Sequence, residues 1–193
     1  MPLIVNKEQV RLEILHALQQ CLEEKPLMKV SMRDIASKAK IAHSKINYYF
    51  DSKEQLLLAY IHFFANSYKT EISQWYTKYK QNSSVITESP EKVVKSFIKD
   101  MVLINHKNQS WAFTQISTTA QYDIEIKNAI QNAYDTWRNS IKYILKEIYC
   151  DNAEIVAYKA EAILIIADGM IIYSLYEQVD ELKIDRILEN ITF

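Results

Sequence analysis

Apolar residues recur at steps of three and four along most of the chain, which is the spacing of one face of an α-helix. Near the N-terminus this stripe runs through Val10, Ile14 and Leu18. The longest stripe falls in residues 53–80, where most of its members are aromatic. With the breaks between stripes, the pattern predicts helices at about 7–24, 32–38, 43–49, 53–80, 91–105, 109–121, 124–149, 154–177 and 181–191.

Turn-forming residues are scarce, because the 193 residues include one Gly and three Pro. This scarcity argues against a sandwich, a barrel or a Gly-rich phosphate loop, all of which need tight turns or glycines. The polar, Ser-rich stretch 81–90 is the clearest loop. We therefore predict an all-α protein of about nine helices, with enough apolar residues to bury a core.

The second and third predicted helices are short and are joined by about four residues, which is the spacing of a helix-turn-helix. Ser31 is a good N-cap for the first of the two, and Asp34 stands at the capping-box position. Ile46 and Phe50 would anchor the second, leaving its polar side chains outward.

Charge is unevenly distributed along the chain. Residues 1–53 hold nine Lys and Arg against six Asp and Glu, a balance of +3, whereas residues 54–193 hold fourteen against eighteen, a balance of −4. A basic head on an acidic body favours a polyanion partner at the head. We predict two domains, a helix-turn-helix domain at residues 1–52 that would bind DNA and a helical domain at residues 53–193.

The stretch VSMRDIASKAKIAHSKINYYFDSKEQLL (residues 30–57) resembles the DNA-binding signature of TetR-type (TetR/AcrR) transcriptional regulators. Two later stretches, within 111–145 and 166–170, loosely resemble the regulatory domains of the betaine-regulator-like group. The resemblance implies that residues of the head contact DNA bases or phosphates, with packing as an equal alternative for Tyr48. Carried over by position, these residues are Ser31, Arg33, His43, Ser44, Lys45, Asn47, Tyr48, Tyr49 and Lys53.

The chain departs from the family pattern at three places. Lys40 occupies the turn position that is usually Gly, and a left-handed Lys there costs about 1 kcal/mol relative to Gly. Ile46-Asn47 stands where the family favours Leu-Tyr, and Lys25-Pro26 replaces a Gly after helix one. The sequence leaves open whether Lys40 keeps the usual turn geometry.

Aromatic residues are frequent in the body, and an aromatic stripe at helical spacing is more often plain core than a binding site. The resemblance implies a small-molecule cavity enclosed by helices of the body, with polar residues on apolar faces as orienting groups. Asn105 and His106 are further polar candidates, although each is more often simply exposed or satisfied. The predicted pocket residues are Phe64, Tyr68, Trp111, Gln115, Tyr134 and Trp137.

The eighth predicted helix is apolar nearly all round, which indicates a second burial surface beyond the monomer core. A helix fully buried within the monomer is the alternative. Its 15-residue apolar run 162–176 is shorter than the roughly 20 residues of a membrane span and contains Asp168, so we expect no membrane insertion. The resemblance implies a homodimer interface that includes Ile165, Gly169, Ile172, Tyr173 and Ile187.

Other functions find little support in the sequence. There is no nucleophile elbow or triad spacing, the four His lack metal-ligand spacing, and we expect no enzyme activity, metal or cofactor. No signal peptide is visible, so we expect a cytoplasmic protein.

The resemblance implies a ligand-responsive regulator, most often a repressor. It would bind a palindromic double-stranded operator as a homodimer and leave it when an effector binds, although the sequence names neither effector, operator nor regulated genes. The alternatives are a helical protein-interaction module, or a DNA-binding regulator that has no small-molecule ligand.

Overall fold

The computed structural model describes residues 6–81, 89–107, 111–149 and 153–192, with the side chains of 104–107 excepted. Within these ranges the chain forms nine α-helices, two 3₁₀ turns and no strand, which confirms the predicted all-α fold. Most of the predicted loop at 81–90 lies outside the described residues. The α-helices are α1 (Lys7–Glu24), α2 (Met32–Lys38), α3 (His43–Tyr49), α4 (Lys53–Gln81), α5 (Pro90–Lys107), α6 (Trp111–Ser117), α7 (Ile124–Tyr149), α8 (Ala153–Tyr173) and α9 (Glu181–Glu189), and the 3₁₀ turns are Leu27–Lys29 and Thr118–Gln121.

Side-chain caps decide where several of these helices begin. Ser31 Oγ accepts from the backbone N–H of Asp34 at 3.3 Å, and the Asp34 carboxylate accepts from the Ser31 backbone N–H at 2.8 Å. This reciprocal pair satisfies two otherwise unpaired donors at the start of α2. Ser52 caps α4 by accepting from the N–H of Gln55 at 3.2 Å. Both caps stand where the sequence predicted them.

The chain divides into two compact units. Unit 1 comprises Met1–Asn66 and Ser110–Ala133, and unit 2 comprises Ser67–Gln109 and Tyr134–Phe193. Helices α4 and α7 each begin in unit 1 and end in unit 2. The units describe packing, so the functional boundary predicted between residues 52 and 53 stays a prediction.

Unit 1 is organised around α1, which packs against α2 and α6, while α2 packs against α3. The stripe predicted on α1 is buried, with Ile14 and Leu18 wholly inaccessible. Burying a Leu or Ile side chain contributes about 1.5–3 kcal/mol each. The core therefore holds the two short helices that could not be stable alone. Other fully buried members are Leu22, Ile35, Ile46, Leu56, Tyr60 and Ile61.

Unit 2 is organised around α5, which packs against α8 and α9. Lys99 of α5 forms ion pairs with Glu181 at 2.7 Å and Asp185 at 2.8 Å, and these pairs hold α9 against it. Trp75 Nε1 donates to Asp100 at 2.6 Å, which joins the end of α4 to α5. None of the described helices is long and apolar enough to cross a lipid bilayer.

Candidate nucleic-acid interface

The α3 helix has an apolar inner face and a polar outer face. Ile46 is inaccessible and Phe50, just after the helix, is 2% exposed, so both are the anchors that the sequence predicted. The outward side chains form a continuous polar surface around the other faces of a helix only seven residues long. They are His43, Ser44, Lys45, Asn47 and Tyr48.

The turn between α2 and α3 keeps the left-handed geometry, with Lys40 at φ 56°. The N–H of Ile41 donates to Ala36 O at 3.0 Å and the N–H of Lys40 donates to Ser37 O at 3.1 Å. These two bonds form a Schellman motif, in which Gly usually occupies the left-handed position. Lys40 therefore carries backbone strain of about 1–2 kcal/mol in the turn that leads into α3.

Arg11 of α1 holds the opposite end of α3. Its Nη1 donates to the carbonyl of Tyr49 at 2.7 Å, and its guanidinium lies over the ring of Phe50 at 4.3 Å. The contact places a cation at the helix C-terminus, where the helix dipole favours positive charge. Sequence reasoning missed this residue, since nothing in the local spacing of α1 relates it to a position 38 residues later.

The start of α2 carries Ser31 and Arg33, both exposed. The Ser31 hydroxyl donates to Asp34 at 2.6 Å, so in this arrangement it faces a partner as an acceptor only. Lys25 pairs with Asp34 at 2.8 Å. The hydrogen bond from Lys25, with those from Ser31, lowers the pKa of the Asp34 carboxyl. Arg33 is therefore the residue here that is best suited to reach a phosphate.

Two predicted phosphate contacts have other partners in the structure. Tyr49 is 8% exposed, so it lies on the buried face of α3 and presents little surface to DNA. Lys53 Nζ donates to Leu27 O at 2.7 Å and to Val30 O at 2.6 Å, which uses two of its three hydrogens. Burial lowers the pKa of Lys53. Lys53 thus supports the segment before α2, and its phosphate contact stays a prediction.

Gln115 of α6 binds the backbone of the same segment and of the helical turn before it. We call residues 25–30 the lead-in segment. Its Nε2 donates to Leu22 O at 2.6 Å, and its Oε1 accepts from the backbone N–H of Leu27 at 2.9 Å. Both ends of the amide are therefore engaged within unit 1. The lead-in segment is held from α4 by Lys53 and from α6 by Gln115, a function that the sequence did not indicate.

The six predicted pocket residues are divided between the two units. Phe64, Trp111 and Gln115 belong to unit 1, where Phe64 stacks on Phe113 at 4.7 Å and Trp111 is 40% exposed. The other three, Tyr68, Tyr134 and Trp137, belong to unit 2. The side chains of Asn105 and His106 lie outside the described residues. The pocket assignments stay predictions.

In unit 2, the three predicted aromatic residues do come together. Trp137 is 3% exposed and lies edge-on against Tyr68 at 5.1 Å and Tyr134 at 5.0 Å between ring centres. The Tyr134 hydroxyl donates to Asp168 Oδ2 at 2.6 Å. Burial raises the pKa of both Tyr134 and Asp168.

A groove of about 780 Å³ lies along α4 and α7 within unit 2. Its lining includes apolar, hydroxyl-bearing and basic side chains, and none of the six predicted pocket residues is among them. Sequence periodicity could have flagged α4 and α7 as amphipathic but not the face that they leave open. The lining residues include Lys69, Ile72, Ser73, Tyr76, Thr77, Lys80, Ser140 and Ile144.

The predicted dimer residues lie on an exposed apolar face. Ile165 is 64% exposed, Ile172 41% and Tyr173 45%, and Ile187 of α9 is also exposed. A Cβ built on Gly169 would meet nothing within 4 Å, so this position is open to a close approach. With Tyr158, the α8 residues form the exposed stripe Tyr158, Ile165, Gly169 and Ile172, at steps of seven, four and three, and the exposed Tyr176 follows in the turn after the helix.

The family model described as bacterial regulatory proteins, tetR family, matches residues 14–60. This range contains the helix-turn-helix, its turn and the start of α4. Comparison with curated protein sequences gave no match.

Solved structures resemble the whole chain. A TetR transcription regulator from Haloarcula marismortui superposes with a TM-score of 0.70 at 18% identity, covering 94% of each chain. A protein from Saccharomonospora viridis, described as a transcriptional regulator and solved in complex with choline, gives 0.71 at 16% identity and 95% of each chain. The regulator FadR from Bacillus subtilis, solved with stearoyl-CoA, gives 0.66 at 17% identity, covering 92% of this chain and 95% of FadR. At these identities the likeness establishes the fold.

The N-terminal segment is a helix-turn-helix of the tetR type, and the body that follows it is all-α. Residues 14–60 match the tetR family model, which confirms the resemblance found in the sequence of this segment, and the whole chain has the fold of the solved TetR regulators. The looser resemblance of the body to the betaine-regulator-like group stays a prediction.

Proposed function

We propose that the protein is a ligand-responsive repressor that binds a palindromic operator as a homodimer. The observation that carries the proposal is the α3 helix, which exposes five polar or amphipathic side chains over a fully buried anchor. Helices of this kind lie in the major groove, where polar side chains read base edges. The matched family model supports the same role for this segment.

Within this proposal, the side chains divide by what they would contact. Lys45 and Arg33 are exposed cations and would neutralise phosphates or reach guanine edges. Asn47 has the amide that pairs with an adenine edge. Tyr48 is 69% exposed and lies under Lys7, whose Nζ is 5.2 Å from its ring, so it combines packing with an accessible hydroxyl. Tyr49 is left out because it is buried.

The exposed stripe on α8 supports the homodimer. Large apolar side chains in a continuous row cost free energy in water and indicate a protein partner. A second copy of the same stripe is self-complementary in a two-fold interface. Two recognition helices related by that axis would read half-sites about 34 Å apart, or a multiple of that distance.

The ligand response is supported by the groove along α4 and α7 and by the buried aromatic cluster at Trp137. The same α4 helix that lines the groove carries Lys53 at its other end. A ligand that binds two positions of α4 with unequal affinity would therefore shift the lead-in segment. The neighbours solved with choline and with stearoyl-CoA bind chemically different compounds, so they do not define an effector class.

The test is operator selection followed by binding of Lys45→Ala and Asn47→Ala to the selected duplex. Lys45→Ala should weaken binding to all sequences and reduce the salt-dependence slope by about one. Asn47→Ala should cost about 1–3 kcal/mol at a single base position. Lys78→Ala, an exposed Lys of α4 in unit 2, is the control. Wild-type affinity in both α3 variants would contradict the assignment, and absence of DNA binding at low salt would favour a protein-interaction module.

A further inference from the structure

The groove along α4 and α7 has an apolar floor. Ile72 is 1% exposed, Ile144 is 4% exposed and Tyr76 is 9% exposed, so all three present only a small area at its base. The volume of about 780 Å³ lies within the range of small-molecule sites. A flat apolar or aromatic group therefore fits the floor.

The walls of the groove carry hydroxyl groups that donate their protons to backbone carbonyls. Ser73 Oγ donates to Lys69 O at 3.0 Å, and Thr77 Oγ1 donates to Ser73 O at 2.9 Å. Across the groove, Ser140 Oγ donates to Thr136 O at 3.0 Å. Each hydroxyl has used its single proton on its own helix, so it offers lone pairs to the groove. A ligand with O–H or N–H donors would satisfy them.

The charge of the lining is positive. It contains Lys69 and Lys80 but no Asp or Glu. Lys80 Nζ forms an ion pair with Glu147 at 3.4 Å and lies 5.1 Å from the centre of the Tyr76 ring. Among the described residues, Lys69 has no ion-pair partner. The groove thus has one uncommitted cation and one that is partly neutralised by a neighbouring carboxylate.

We propose that this groove binds a small organic anion, such as a carboxylate, phosphate or sulfonate on an aromatic or apolar body that carries hydrogen-bond donors. The anionic group lies at Lys69 and Lys80, and the body lies on the floor formed by Ile72, Tyr76 and Ile144. The inference extends the proposed function, because it gives the class of the effector and the place where it binds.

Two dyes test the class directly. Anilinonaphthalene sulfonate and N-phenylnaphthylamine share one aromatic skeleton and one N–H donor, and only the first carries an anion. Fluorescence titration of the full chain should give one site per chain and about fivefold or greater preference for the sulfonate. Equal affinity for both dyes would overturn the proposal.

Charge variants then place the site. Lys69→Gln should weaken the sulfonate dye about two- to fivefold, the range for an exposed ion pair, while leaving the neutral dye unchanged. Glu147→Gln should tighten the sulfonate dye, because it frees Lys80 from its competitor. Lys78→Gln, on the same helix outside the lining, is the matched control. A loss in Lys78→Gln equal to that in Lys69→Gln would contradict a specific site.

A steric variant separates the groove from other apolar surfaces. Ser140→Phe fills the space between the walls and should weaken both dyes without lowering the melting temperature. Dye binding that survives Ser140→Phe would place the site elsewhere and overturn the inference. Operator affinity is measured in parallel for every variant. A protein that binds its operator but shows no sulfonate preference refutes the anion class alone, whereas a protein without DNA binding refutes the regulator proposal.

Discussion

Helices α3 and α8 expose opposite kinds of surface. The outward residues of α3 are mostly polar, and its apolar residues are buried. On α8, Ile165 is 64% exposed and Tyr158 is 71% exposed. An exposed polar face is stable in water and can bind a charged or hydrogen-bonding partner. An exposed apolar row is unfavourable in water and is stabilised when another protein covers it.

The two helices also differ in what holds them in place. The α8 helix has 21 residues and a buried face of its own, so it keeps its geometry through its own packing. The α3 helix has seven residues and depends on neighbours, with a strained turn before it and Arg11 at its end. Substitutions outside α3 should therefore change DNA binding, while substitutions on the stripe itself should change association.

The largest effect is expected for Ile165→Glu, which would place a carboxylate at the centre of the α8 stripe. Burying an unpaired charge in an apolar interface is strongly unfavourable, so the proposed dimer should dissociate to monomers. Operator affinity should then fall about 100-fold or more, because a monomer contacts one half-site. Light scattering and fluorescence anisotropy measure the two quantities. Tyr122→Glu, at a 90% exposed residue of unit 1, is the control, and an Ile165→Glu protein that stays dimeric would rule out this face.

Gln115→Ala should destabilise the lead-in segment and weaken operator binding. The variant removes the partners of Leu22 O and Leu27 N, and a buried polar group left without a partner costs about 1–3 kcal/mol. Urea unfolding and operator titration give the two losses. Gln121→Ala, an exposed residue of the following 3₁₀ turn, should change neither. Unchanged stability in Gln115→Ala would show that α6 does not support the head.

Arg11→Met keeps an unbranched side chain but removes both the hydrogen bond to Tyr49 O and the guanidinium over the Phe50 ring. We expect a loss of about 1.5–2 kcal/mol in unfolding free energy, the lower end of the range for a hydrogen bond to a charged group, because the site is only partly buried. Hydrogen exchange should rise at the C-terminal end of α3 more than in α8. Equal protection of α3 in both proteins would mean that its end is held by packing alone.

The smallest effect is expected for Lys40→Gly. Glycine removes the left-handed strain at φ 56°, but it also gains entropy in the unfolded chain, so the net stabilisation should be at most about 1 kcal/mol. Lys40→Ala is the control, because alanine removes the long side chain but keeps the Cβ and therefore the strain. If Lys40→Gly unfolds at or below the temperature of Lys40→Ala, the relief of strain does not exceed the entropy that glycine adds to the unfolded chain.

The sequence predicted the helices closely, because helix ends and faces depend on residues close in the chain. The boundaries of α1, α2 and α3 agree, and so do the Ser31 and Ser52 caps. Differences occur where a helix ends without a strong signal. The predicted helix 109–121 is divided into α6 and a 3₁₀ turn, and α8 ends at Tyr173 instead of 177. Neither the end of α6 nor the end of α8 has the Gly or Pro that usually marks a helix terminus.

Sequence by itself determined the fold class, the helix-turn-helix and the outward face of α3, since all three follow from periodicity, capping and a contiguous motif. The tertiary structure decided the roles of Lys53 and Gln115. In the sequence, Lys53 has the position of a phosphate contact, because it is a basic residue at the start of a helix. In the structure, its Nζ donates to the carbonyls of Leu27 and Val30. Gln115 binds a segment 88 residues earlier. The groove arises from two helices that are distant in sequence, and local spacing carries no information about which faces of such helices meet.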